Sequence, residues 1–201
     1  MKSQLFRYTI ALGMLSFISC DLGDLEGPIP PAYSRTTNPP YEVILDSTNL
    51  IGNSGFEESL TGWILDATDG ARANFSRSHT AKSGQYSLYA NIIQLGQYNW
   101  AINAIWESLP LENGERYRVE LWVRSTAGSG PMKVSIVRDG SSWQNIHSLW
   151  CHGTEAWKQF SFDFTAPDPG GDECKLELNF PNIGYYWIDE VKVQQYVQVD
   201  L

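Results

Sequence analysis

Between Tyr117 and Arg124 the side chains alternate. Tyr117, Val119, Leu121 and Val123 fall on one face, and Arg118, Glu120, Trp122 and Arg124 fall on the other. A period of two is that of a β-strand with one face in a core. The same reading predicts strands over 87–93, 100–106, 133–138, 145–150, 158–164, 175–180 and 186–196, each bounded by Gly, Pro, Asn, Asp or Ser. Phe160, Phe162 and Phe164 point inward in one of them, and Leu176, Leu178 and Phe180 in another. Asn113-Gly114 and Asp139-Gly140 are turn signals. No segment carries a helical period of useful length. Many short strands with regular turns imply an all-β fold, an antiparallel two-sheet β-sandwich or jelly roll.

The pattern begins at Asn49. Before it, residues 20–48 hold Gly27-Pro-Ile-Pro-Pro31 and Asn38-Pro-Pro40, a density that favours extended chain and reads as a tether. A strand within 41–45 that joins the sheet is the alternative. Residues 1–19 read as a signal peptide, with Lys2 and Arg7 ahead of an apolar run from Tyr8 to Ile18. That run ends in Ser19-Cys20 and resembles a bacterial lipobox, with Phe17 where leucine is usual. The resemblance implies lipidation of Cys20 and a lipid-anchored protein of the bacterial cell envelope, at the outer membrane or surface in preference to the inner membrane. An ordinary signal peptide or an N-terminal anchor is the other reading. Cleavage would remove Lys2 and Arg7 and take the formal charge from −9 to about −11.

That charge argues against nucleic acid as a partner, since affinity there rests on Lys and Arg at phosphates. Eight Trp and ten Tyr exceed what a small core needs and point to a binding surface. In an exported chain Cys151 and Cys174 invite a disulfide, with two buried thiols as the alternative.

Six elements then occur in order. They are Asn49-Leu-Ile-x-Asn-x-Gly-Phe-Glu57, Gly62-Trp63, Ser83-Gly-Gln-Tyr-Ser87, Leu111-x-x-Gly114-x-x-Tyr117, Trp157-Lys-Gln-Phe160 and Trp187-Ile-Asp-Glu-Val191. This pattern resembles the carbohydrate-binding modules of families 4, 9 and 22, among the galactose-binding-like jelly rolls, over about 49–195. The resemblance implies a non-catalytic module, over residues 49–201, that binds polysaccharide and carries a structural calcium ion. Glu57 and Asp189 would supply carboxylates, with carbonyls near Asn53 and Gln85. Calcium takes six to eight hard oxygens, so the donor types suit it. The ion would clip the first part of the domain to the last strand. Glu57 capping a turn and Asp189 in a surface ion pair is the alternative.

A sugar site needs flat aromatics beside amides and charged groups. Tyr98, Trp100 and Trp143 are the expected stacking residues, with Arg138, Gln97, Asn103 and Gln144 as polar partners. Trp150 with His152 forms a third such region. Trp63, Trp157 and Trp187 are assigned to packing, while Trp122 is either exposed or lines the groove. His79, His147 and His152 lack zinc spacing, and no nucleophile motif appears. The expectation is a monomeric, non-enzymatic binder of a β-glucan or xylan. A protein-interaction or adhesion module ranks second and a glycoside-active enzyme third.

Overall fold

The computed structural model describes residues 41–140, 143–168, 170 and 172–200. The expected signal peptide, Cys20 and residues 20–40 of the expected tether lie outside them. Eleven strands and no helix occur among the described residues. They are β1 (Tyr41–Leu45), β2 (Trp63–Ala67), β3 (Arg72–Ser78), β4 (Ser87–Gln94), β5 (Ile102–Leu109), β6 (Arg116–Ser125), β7 (Met132–Asp139), β8 (Gln144–Cys151), β9 (Lys158–Thr165), β10 (Glu173–Asn179) and β11 (Gly184–Asp200).

They form two antiparallel sheets. One has the order β3-β4-β11-β6-β9, with β1 added to the C-terminal part of β11; the other has the order β2-β5-β10-β7-β8. The all-β sandwich expected from the alternation is the fold observed. Tyr117, Val119, Leu121 and Val123 are all buried, as are Leu176, Leu178 and Phe180. Phe162 and Phe164 are buried, with Phe160 packed against them at the margin. Trp63 packs between Phe56 and Trp106 with ring centroids 5.3 and 5.7 Å away. Trp187 lies against Tyr89 and donates Nε1–H to Ser78 Oγ. Trp122 is half-buried under the Lys82 ammonium, on the six-stranded sheet.

Three features depart from the sequence reading. Tyr41–Leu45 is a strand, paired with residues Tyr196–Asp200 of β11, so the last part of the expected tether belongs to the sheet. β2 and β3 were not anticipated, and the strand expected over 100–106 runs from Ile102 to Leu109 instead. Cys151 and Cys174 are free, buried thiols rather than a disulfide. Cys174 is level with Arg138 on β7 and Cys151 is level with Met132, six residues along the same strand. That is about 20 Å at strand rise, far beyond bridging distance. Burial raises both thiol pKa values, that of Cys151 to about 12.

The opening stretch is stitched to β11. Asn49 donates Nδ2–H to the Val191 carbonyl and its Oδ1 accepts from Val193 N–H and Ile51 N–H. Leu50 N–H donates to the Val193 carbonyl and Val191 N–H to the Ser54 carbonyl. Between Asp189 and Lys192 the β11–β6 register shifts, with Glu190 at φ 51°. This bulge changes which positions face the core, from Tyr186 and Ile188 to Val191 and Val193.

Candidate functional site

On the outer face of the five-stranded sheet, alternate positions carry polar side chains instead of core residues. The pairings Asp66–Asn103, Asn103–Asn179, Asn179–Lys133 and Lys133–Trp150 join into one row that crosses β2, β5, β10, β7 and β8. A second row, two residues along, runs Ile64, Ile105, Glu177, Ser135 and Ser148. Above these rows lies a groove of about 690 Å³, lined by the whole first row, by Ile105 and Glu177 of the second, and by Asn99, Trp100, Trp143, Lys175 and Pro181.

Its walls are aromatic. Trp100, Trp143 and Trp150 are 56%, 58% and 48% exposed, which is unusual for tryptophan in a fold with a full core. Trp100 is held from behind by Tyr98, the rings parallel within 7° and 4.5 Å apart. Asn103 donates Nδ2–H to the Trp100 carbonyl at 2.8 Å, which fixes the loop that carries the ring.

Its floor is polar and unsatisfied. Asn103 Oδ1, Ser135 Oγ and Asn179 Nδ2 are buried with no hydrogen-bond partner. Buried polar atoms are nearly always paired, and exceptions ask for a reason. Asn103 and Asn179 line the groove while Ser135 does not, so two of these three side chains border the space a ligand would fill. Lys175 is already committed, with Nζ 2.8 Å from Asp139 Oδ2 and 3.3 Å from Glu177 Oε1. Burial works to lower its pKa, but these two partners outweigh burial and leave it above the ordinary lysine value.

Of the residues expected to meet ligand, Trp100, Asn103 and Trp143 line the groove, and Tyr98 supports Trp100. Tyr98 and Gln97 line a smaller adjoining hollow of about 170 Å³. Gln144 is exposed at the start of β8 and does not line the groove. Arg138 does not line it either, and its Nη1 donates to the Asp168 carbonyl, with Asp172 3.8 Å from Nε. Asp66, Lys133, Glu177 and Asn179 were not anticipated, because only the strand register brings them together.

The expected calcium ligands sit at another place. Glu57 Oε1 accepts from Gln85 N–H and Tyr86 N–H, and Asp189 Oδ2 accepts from Lys82 N–H and Ser83 N–H. The Asp189 and Glu190 carboxylates close on Gly55, where a Cβ would lie 3.5 Å from Glu190 Oε1 and 3.7 Å from Asp189 Oδ1, while the Glu57 carboxylate lies against Gly84. The Asn53 carbonyl accepts from Trp63 Nε1–H, and Gln85 contributes an amide N–H to Glu57. Asp189 is fully buried, and burial raises its pKa against three backbone donors that lower it. No group of three or more His, Cys, Asp or Glu side chains able to hold a metal occurs among the described residues. An ion here would therefore need backbone carbonyls beside the carboxylates, the mixture that calcium accepts.

Residues 48–184 match the family model CBM_4_9, described as a carbohydrate binding domain. No curated protein matches the chain. Among solved structures, a family 4 carbohydrate-binding module is similar with TM-score 0.62 and 19% identity, over 72% of this chain and 99% of that one. The CBM22-1 xylan-binding domain of Paenibacillus barcinonensis Xyn10C is similar with TM-score 0.54 and 16% identity, over 74% and 94%. A second family 16 module is similar with TM-score 0.55 and 18% identity, over 72% and 99%. With the family match covering most of its length, this chain belongs to the carbohydrate binding domain family CBM_4_9.

Proposed function

We propose that the chain binds a polysaccharide of the β-glucan or xylan type in the groove of the five-stranded sheet, without chemistry on the ligand. The observation that carries this reading is the pairing of three exposed tryptophans with a floor of polar side chains, Asp66, Asn103, Lys133 and Asn179. Sugar rings offer apolar faces to the former and hydroxyls to the latter, and hydroxyls both donate and accept. An apolar protein partner would desolvate the polar side chains of Asp66, Asn103, Lys133 and Asn179 without pairing them, so the floor favours sugar over a protein hot spot. The xylan-binding relative supports the ligand class. Of the carboxylates that line the groove, Glu177 is tied to Lys175 and Asp66 lies two strands away from it, and a binding role asks for no acid–base pair.

The reading includes a structural calcium held by Glu57 and Asp189 with nearby carbonyls. It would offset the buried charge of Asp189 and fasten the opening stretch to β11. It also includes lipid attachment at Cys20, which would present the monomeric module at the cell envelope. Affinity electrophoresis against glucan, xylan and mannan gels, with calcium present, tests the binding. Retardation by a β-glucan or xylan is expected, and no retardation by any of them would overturn the reading.

A further inference from the structure

We propose that the groove selects a polysaccharide whose neutral backbone carries isolated uronate substituents, and that Lys133 pairs with the uronate carboxylate. This rests on the polysaccharide reading above. The groove contains two lysines, and they differ. Lys175 is matched by two carboxylates. Lys133, half-buried on the central row, forms no ion pair and no side-chain hydrogen bond with any described residue. An ammonium without a counter-ion on the wall of a groove is free to pair with a charge that the ligand brings.

The neighbours fit that role. Lys133 is level with Trp150 on one side and with Asn179 on the other. Strands lie about 4.8 Å apart, so a ring stacked on Trp150 reaches Lys133 with a group borne on its edge. Asn179, in register beside it, also lines the groove. Asp66, the free carboxylate of the row, lies three strands away, about 14 Å, and does not compete for the ammonium. An ammonium without a partner beside an aromatic platform suits a uronate better than a neutral hexose, since the neighbouring groove carboxylate, Glu177, is tied to Lys175. The formal charge of −9 sets the other limit. A polymer charged at every residue is repelled by the whole molecule, whereas a sparse substituent is not.

The test uses the full chain and two matched pairs of polymers. One pair is glucuronoxylan with its carboxyl-reduced form, and the other is a sparsely oxidised β-glucan with its parent. Affinity is read by titration calorimetry for the wild type, Lys133→Gln and Lys133→Arg. In whichever pair is bound, the uronate member should bind about tenfold more tightly, a gain that raised salt reduces. Lys133→Gln should bring the affinities of the two members of the pair together, and Lys133→Arg should restore the difference between them. Equal affinity within the bound pair, or a gain that survives Lys133→Gln, overturns this inference and leaves the groove reading standing. Binding of none of the four polymers overturns both.

Discussion

Asn103 on β5 and Asn179 on β10 are paired in register, and each leaves one amide atom buried and unpartnered, Oδ1 of the first and Nδ2 of the second. One offers an acceptor and the other a donor. The cost of leaving them so is already part of the fold, because neither atom has a bond to lose. Replacing Asn179 with Ala should therefore change stability by less than about 1 kcal/mol while weakening glycan affinity about tenfold. Urea denaturation and calorimetric titration on the same sample separate the two effects. A large loss of stability with unchanged affinity would assign Asn179 to the fold.

Gly62 stands at φ 85°, and a Cβ there would lie 2.4 Å from Trp106 Cζ3. Gly62→Ala meets both a strained backbone and the ring that supports Trp63. It should cost about 2–4 kcal/mol. Folded Gly62→Ala should still bind glycan as the wild type does, since none of these atoms reaches the groove. Denaturation midpoints check the first point and titration the second.

Asp189 is the residue at which a pH test and a test of the proposed calcium meet. Burial raises its folded pKa above the unfolded value. Its contribution is then most favourable below the unfolded value near 3.9 and is lost as pH rises through the folded one. Without calcium, this group makes the fold less stable at neutral pH than in mild acid. With calcium the neutral-pH loss should be offset, and a chelator should lower Tm by several degrees at pH 7. Asp189→Asn should abolish the difference between chelator and calcium. Equal Tm with and without chelator in the wild type would remove the ion from the account.

Asp163 behaves in the opposite sense. The Arg118 guanidinium lowers its pKa, with smaller help from Tyr196 and Arg116. Its Oδ1 lies 2.8 Å from Arg118 Nε and its two oxygens lie 3.1 Å from Tyr196 Oη, so it joins β9, β6 and β11. The stability it supplies is full above the unfolded pKa and is lost as pH falls through the lowered folded value. Being partly exposed, it should be worth only about 1 kcal/mol. Asp163→Asn should lose that amount at pH 7 and less at pH 2, by urea denaturation at both values. An equal loss at both would assign the effect to packing.

Much of the fold was legible because burial follows alternation. Tyr117 to Val123 has period two, and the structure buries that face. β2 and β3 were missed because they are edge strands with little alternation to read: Arg72–Ser78 turns only Ala73 and Phe75 among its apolar residues toward the core. Strand Tyr41–Leu45 follows a proline-rich stretch that masks it. The tryptophans at the groove were legible as aromatics crowded near turns. The floor was not, since Asp66, Asn103, Asn179, Lys133 and Trp150 come from five strands and only register aligns them. The same holds for Cys151 and Cys174, which lie on strands of one sheet but at opposite ends. The β11 bulge, which moves Val191 rather than Glu190 into the core, left no sign in the sequence.

The central claim is that exposed tryptophans of one groove hold a polysaccharide. The direct measurement is affinity electrophoresis of Trp100→Ala, Trp143→Ala and Trp150→Ala in gels containing the glucan or xylan that retards the wild type. Each ring is about half exposed, so each variant should keep its fold by circular dichroism. Stacking is worth about 1–3 kcal/mol, so each should lose roughly ten- to hundredfold in affinity. Retardation equal to the wild type in all three variants would contradict the account.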